Sequence, residues 1–103
     1  MISKIKCVRM PGGEELIGEI VSETDTTVTI KTPASVLIVP GQMGNPQFSI
    51  GLMPWMPYSE DTEFVLSRDK IITIHTPNID LINNYNRMFG SGIQIAAAGS
   101  LPR

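Results

Sequence analysis

Arg68 and Lys70 flank Asp69 in a short polar stretch, Ser67-Arg68-Asp69-Lys70, between two apolar runs. Two cations this close in one turn can hold phosphate oxygens, and identical copies placed around an axis would multiply a weak local site. The competing reading is an ordinary solvated turn. Asp25, Thr27 and Thr29 form a second polar group. Their hydroxyls and carboxylate suit phosphate or base contacts, although threonine is equally at home in turns and strands for structural reasons. Glu60, Asp61 and Glu63 do not follow any calcium-loop pattern, which needs six or more oxygens in a defined order, so they read as a solvated acidic turn and no metal is expected. His75 is the sole histidine, and no serine or cysteine motif announces a partner nucleophile, so no catalytic role is assigned. Trp55 and Tyr58 could stack on bases, but packing in the core or between subunits fits them better. The glycines at 41 and 44 lack the Lys-Ser/Thr ending of a phosphate loop and read as a turn.

The charge balance limits these options. Eight basic against ten acidic residues give a formal charge of −2, without the strong positive field of a dedicated nucleic-acid binder, so any phosphate contact must be local. The single cysteine, Cys7, allows neither an internal disulfide nor a cysteine-built metal site, and it fits a reducing cytoplasm. No leader-like segment opens the chain and no apolar run is long enough to span a bilayer, so a protein that is neither secreted nor membrane-embedded is expected. At 103 residues one domain is expected, with only roughly 60–70% of the unfolded surface buried. Charged residues are 17% and hydrophobic ones 42% of the chain, fewer charges than the usual quarter or so. Missing surface charge implies covered surface, and hence oligomerisation.

The elements that must position these residues are mostly strands. Residues 5–10 read as a strand, and Pro11-Gly12-Gly13 as the turn of a first hairpin. Leu16, Gly18 and Ile20 alternate with Ile17, Glu19 and Val21, apolar on both faces, with a glycine where something approaches closely. A polar turn at 23–27 leads to a strand at 28–32 with Val28 and Ile30 inward, which Pro33 ends or kinks. Val36-Leu37-Ile38-Val39 is a continuous apolar run, tolerated only if neither face sees much water, and another subunit is a plausible cover. A turn at 40–46 and a strand at 47–52 complete a second hairpin. Met53-Pro54-Trp55-Met56-Pro57-Tyr58 cannot be a central strand because its prolines donate no ladder bonds. Residues 64–66 and 71–75, either side of the Arg68/Lys70 turn, read as a third hairpin. A helix over about 77–89 follows, with Thr76 as N-cap, Pro77 in the first turn, Asp80 and Arg87 matching the dipole, and Gly90 as the stop. Residues 93–95 could add a strand, within a tail over 93–103.

Short hairpin-connected strands and one helix predict a mainly β, strongly bent sheet or small open barrel. The residues resemble the Sm-like proteins: Val8 through Gly13, then Gly18-Glu19-Ile20 and Asp25-Thr26-Thr27-Val28-Thr29-Ile30, follow the order of that family's first motif, and Leu66-Ser67-Arg68-Asp69-Lys70-Ile71-Ile72-Thr73-Ile74 looks like the second. Met53 to Tyr58 and Tyr85-Asn86-Arg87-Met88-Phe89-Gly90 are similar to Sm-like proteins of cyanophages and related tailed phages. The resemblance implies a five-stranded, strongly bent antiparallel barrel of the SH3 type, with its helix at the C-terminal end, in one domain over 1–92. It also implies a homo-oligomeric ring of five to seven copies, closed by pairing the fourth strand of one subunit with the fifth of the next. Val36, Ile38, Trp55, Phe64, Leu66, Ile72 and Ile74 are the residues expected to serve that interface.

The same resemblance qualifies the ligand. Where the family stacks an aromatic or histidine on a base and reads its edge with asparagine, this chain has Thr27 and Thr29; stacking is worth about 1–3 kcal/mol per base, so much of the base preference is lost. Asp69 stands where the family has glycine and weakens the potential beside Arg68. The leading functional expectation is a phage Sm-like ring, in the cytoplasm of an infected bacterium, that binds RNA or single-stranded DNA with low specificity through Arg68, Lys70, Asp25, Thr27 and Thr29 and serves RNA or DNA processing. The alternative is a scaffolding ring that meets phage or host proteins. No cofactor and no enzymatic activity are expected, since no convergent acid, base and nucleophile set is apparent.

Overall fold

The computed structural model describes residues 4–39 and 49–89. Six strands, β1 (Ile5–Arg9), β2 (Glu15–Glu23), β3 (Thr27–Val39), β4 (Ser49–Pro54), β5 (Glu63–Ser67) and β6 (Thr73–His75), precede one helix, α1 (Ile79–Phe89). All pairings are antiparallel, in the order β4-β3-β2-β1-β6, with β5 also on β3. The fold is thus the expected mainly β, strongly bent sheet with a C-terminal helix.

Three local features bend the sheet. The β1–β2 turn closes through Met10 N–H to Glu14 O at 2.8 Å and Gly13 N–H to Met10 O at 3.0 Å, with Gly13 at φ 91°, a region glycine enters without strain. In β2 the register slips twice, between Ile17 and Glu19 and between Ile20 and Ser22; such bulges raise local twist and bend a strand. Gly18 lies within the first slip, and a Cβ there would stand 2.7 Å from Ile30 Cγ1, so the close approach expected of this glycine is real. In β3 Thr32 takes φ 50°, unusual for a β-branched residue. Pro33 kinks the strand without ending it: β3 pairs with β5 before the kink and with β4 after it.

Bonds from three directions hold that kink. Thr32 N–H donates to Thr62 O at 2.6 Å, Trp55 N–H donates to Pro33 O at 3.1 Å, and the Tyr85 hydroxyl donates to Thr32 O at 2.6 Å. The core divides into two clusters because strand neighbours alternate faces. Ile5, Cys7, Ile17, Ala34 and Leu52 pack with Ile82 and Tyr85 of the helix. Val8, Leu16, Ile30 and Leu66 pack with Trp55, Phe64, Ile71 and Ile74. This two-sided burial explains why β1 and β2 are apolar on both faces.

Two expectations need correction. Residues 64–66 and 71–75 do not form a hairpin: β5 pairs with β3 and β6 with β1. The 3₁₀ turn Arg68–Lys70 separates them, and Ile72 N–H bonds Arg9 O at 2.8 Å, steering the chain to the opposite border of the sheet. The helix N-cap is Asn78, not Thr76: its Oδ1 accepts from Leu81 N–H at 2.9 Å, while Thr76 Oγ1 accepts from Lys6 Nζ at 2.8 Å. Pro77 lies buried ahead of the cap. The expected turn at 40–46, the start of the strand at 47, the Gly90 stop, the 93–95 strand and the tail lie outside the described residues.

Candidate nucleic-acid interface

The β2–β3 turn is organised by Thr24. Its Oγ1 accepts from Thr26 N–H at 3.2 Å and Thr27 N–H at 2.9 Å, and it shares a 2.8 Å hydroxyl contact with Thr27. Side-chain bonds of this kind are why threonine favours turns. The 3₁₀ turn after β5 is tied to it: Arg68 N–H donates to Thr26 O at 2.8 Å and Arg68 Nε–H to Thr24 O at 3.1 Å. Register continues the join, with Thr27 opposite Ser67 and Thr29 opposite Val65. The two sequence motifs therefore build one wall.

A cavity of about 490 Å³ opens there, lined by Asp25, Thr26, Ser67, Arg68 and Asp69. It brings together Asp25 and Arg68 of the expected set. Thr27 sits beside it with its hydroxyl engaged inside the turn. Thr29 lies further along β3, and Lys70 is exposed at the end of the 3₁₀ turn; neither lines the cavity. Sequence reasoning missed Thr24, Thr26, Ser67 and Glu23, whose types are unremarkable and whose roles depend on contacts across many residues.

The cavity carries more acid than base, with Asp25 and Asp69 against Arg68 alone. Arg68 Nη2 pairs with Glu23 Oε1 at 2.9 Å, and Asp69 Oδ1 accepts from the Ser67 hydroxyl at 2.7 Å. The acidic residue paired with Arg68 is thus Glu23 from β2, whereas Asp69, the motif departure, bonds Ser67. A second cavity of about 520 Å³, beside Ile20 and Ile74, carries Lys4 and Lys6.

Of the residues expected at a subunit interface, Leu66 is buried in its own subunit, and the exposed apolar residue of that strand is Val65. Trp55 and Phe64 meet edge to face at 5.5 Å, and Trp55 Nε1–H donates to Glu14 at 2.9 Å; Val36 and Ile74 also pack against the core. Ile38 and Ile72 are exposed at 64% and 62%. Among the described residues β5 pairs with β3 alone and β6 with β1 alone, so each keeps one unpaired border. No helix among the described residues is long and apolar enough to cross a membrane.

A third grouping was invisible to spacing. Cys7, Glu15 and His75 converge within 4.8 Å. It is not a nucleophile relay: burial first, then the Glu15 charge, pushes the Cys7 thiol up to about 12, the opposite of activation. With no cation beside it, a thiol so shifted keeps its proton near neutrality.

No curated protein matches the chain. The Sm-like domain model does, over residues 7–86, a span that begins in β1, includes both motif turns and the cavity between them, and runs into α1. With the match covering most of the chain and the bent antiparallel sheet beneath it, the protein belongs to the Sm-like family.

Proposed function

We propose that the chain is the subunit of a homo-oligomeric ring of five to seven copies, phage-encoded and acting in the cytoplasm of an infected bacterium, that holds RNA or single-stranded DNA with little sequence preference. The observation that carries the ligand reading is the shared wall of the two motif turns, which sets the Arg68 guanidinium in a cavity. A ring would present that guanidinium once per subunit, with Lys70 nearby, and so convert a weak site into a useful one. The borders of β5 and β6 left unpaired among the described residues support the ring, since unpaired sheet edges on a small domain invite pairing with another copy. The phage assignment rests on the likeness of residues 53–58 and 85–90 to phage Sm-like proteins.

Oligonucleotide retention across salt concentrations tests the ligand. Phosphate contact gives log affinity falling with log salt, and a shallower slope in Arg68→Ala and Lys70→Ala. Absence of any RNA or single-stranded DNA binding by micromolar protein at low salt rejects it. The second reading, a scaffolding ring, is favoured by Glu23 offsetting the Arg68 charge and by the exposure of Leu37, Ile38, Val39 and Ile50 on the β3–β4 arm.

A further inference from the structure

We propose that Cys7, Glu15 and His75 form a binding site for a zinc-class divalent cation, with three protein ligands and one open position. Each donor comes from a different strand. Cys7 on β1 stands directly opposite His75 on β6, and Glu15 on β2 stands opposite Arg9, two residues along β1 from Cys7. In an antiparallel sheet, opposite residues share a face and residues two apart share it too. The backbone register therefore delivers thiol, carboxylate and imidazole to one spot, with all three donor atoms within 4.8 Å of one another. Zinc bonds of about 2.0–2.3 Å put tetrahedral donors roughly 3–4 Å apart, so small side-chain movements suffice.

The donor set and its setting point to zinc over a hard cation. A thiol and an imidazole favour zinc and similar first-row metals, whereas magnesium and calcium want oxygen alone. Glu15 is already oriented: Oε1 accepts from Arg9 Nη2 at 3.1 Å, and Oε2 meets His75 Nε2. Arg9 thus acts as the outer partner that fixes a ligand. Exposure rises from Cys7, which is 1% exposed, through the Glu15 side chain at 16% to that of His75 at 49%. The inner side is closed by the core, and the outer side leaves room for a water as fourth ligand. On binding, the cation takes the place of the thiol proton, which passes to solvent.

The full chain is dialysed to equilibrium against Zn²⁺ and, separately, Co²⁺. The expected result is one metal per subunit, a thiolate-to-cobalt charge-transfer band, and an affinity at least about 100-fold lower in Cys7→Ser and in His75→Gln, beyond the loss typical of an outer partner. His75 is half-exposed, so His75→Gln keeps the test decisive if the buried Cys7→Ser variant does not fold; Glu63→Gln, at the start of β5, leaves affinity unchanged. Folded wild type that retains no metal overturns the proposal. So does a Co²⁺ complex without the thiolate band, or retention by His75→Gln equal to wild type.

Discussion

Glu23, the last residue of β2, pairs with Arg68 of the 3₁₀ turn at 2.9 Å, and this contact sets how much positive charge the cavity offers. Both side chains are substantially exposed, so the pair adds only about 0–1 kcal/mol to stability. Its effect falls on any ligand instead. Glu23→Gln is expected to raise affinity for a single-stranded oligonucleotide several-fold at low salt, whereas Arg68→Ala lowers it and makes the salt slope shallower by about 0.7 for one lost phosphate contact. If neither variant alters binding, the cavity does not face phosphate.

Gly18 is fixed by what lies above it. A Cβ would meet Ile30 at 2.7 and 2.9 Å and the Lys31 carbonyl oxygen at 3.0 Å, and Ile30 is fully buried. Overpacking of this kind costs about 1–3 kcal/mol. Gly18→Ala should lower the urea midpoint accordingly, and adding Ile30→Val, which removes the Cδ1 atom, should recover part of the loss. An unchanged midpoint in Gly18→Ala would mean that β2 and β3 are not so closely apposed.

Ile38 and Ile72 separate folding from assembly because their side chains are exposed at 64% and 62% within one subunit. If copies of the chain cover them, each contributes about 1.5–3 kcal/mol by burial, so Ile38→Glu and Ile72→Glu should weaken assembly by ten- to a hundredfold or so while far-UV circular dichroism stays the same. Sedimentation velocity reads the shift to smaller species. Wild-type protein that sediments as a folded monomer on its own would remove the ring from the account.

The helix start offers a sharper discrimination. Asn78 Oδ1 accepts from the third helical N–H, whereas Thr76 bonds Lys6. Asn78→Ala should therefore cost about 1 kcal/mol, the usual value of an N-cap, and Thr76→Ala much less. Thermal unfolding of both variants decides it; equal losses would mean that Asn78 is not the cap.

How far the sequence carried this picture depended on distance along the chain. The strand at β1, the alternation in β2, the turn at Gly13 and the tight place at Gly18 are local patterns, and all were readable. The supposed hairpin of 64–66 with 71–75 failed because its short polar turn looks the same whether the flanking strands pair or part; the choice is made by β3 and β1, far away in sequence. Thr76 and Asn78 are both good caps, and only the contact with Lys6 on β1 distinguishes them. For the site, Asp25 and Arg68 were legible through motif order. Glu23 as the partner of Arg68, and Glu15 and His75 beside Cys7, were not, because strand register creates those neighbours and no spacing records it.

Tyr85 links the helix to the kink in β3 and should give the fold a measurable response to alkali. Its hydroxyl donates to Thr32 O at 2.6 Å and more loosely to Lys31 O at 3.3 Å, holding the one non-glycine residue with positive φ among those described. Burial, and next the charge of Glu19, raise its pKa above the ordinary tyrosine value. The folded chain thus binds the phenolic proton more tightly than the unfolded chain does. The resulting stabilisation is present in full below about pH 10, where unfolded tyrosine keeps its proton, and is lost as pH rises through the folded value. Tyr85→Phe should lose about 1 kcal/mol at neutral pH through the missing hydrogen bonds, and its stability should fall less steeply above pH 10. Tyr58, 84% exposed, supplies the control, since Tyr58→Phe should follow the wild-type curve. Urea unfolding monitored from pH 8 to 11 makes the comparison, and an equally steep fall in Tyr85→Phe would show that the alkaline response comes from another group.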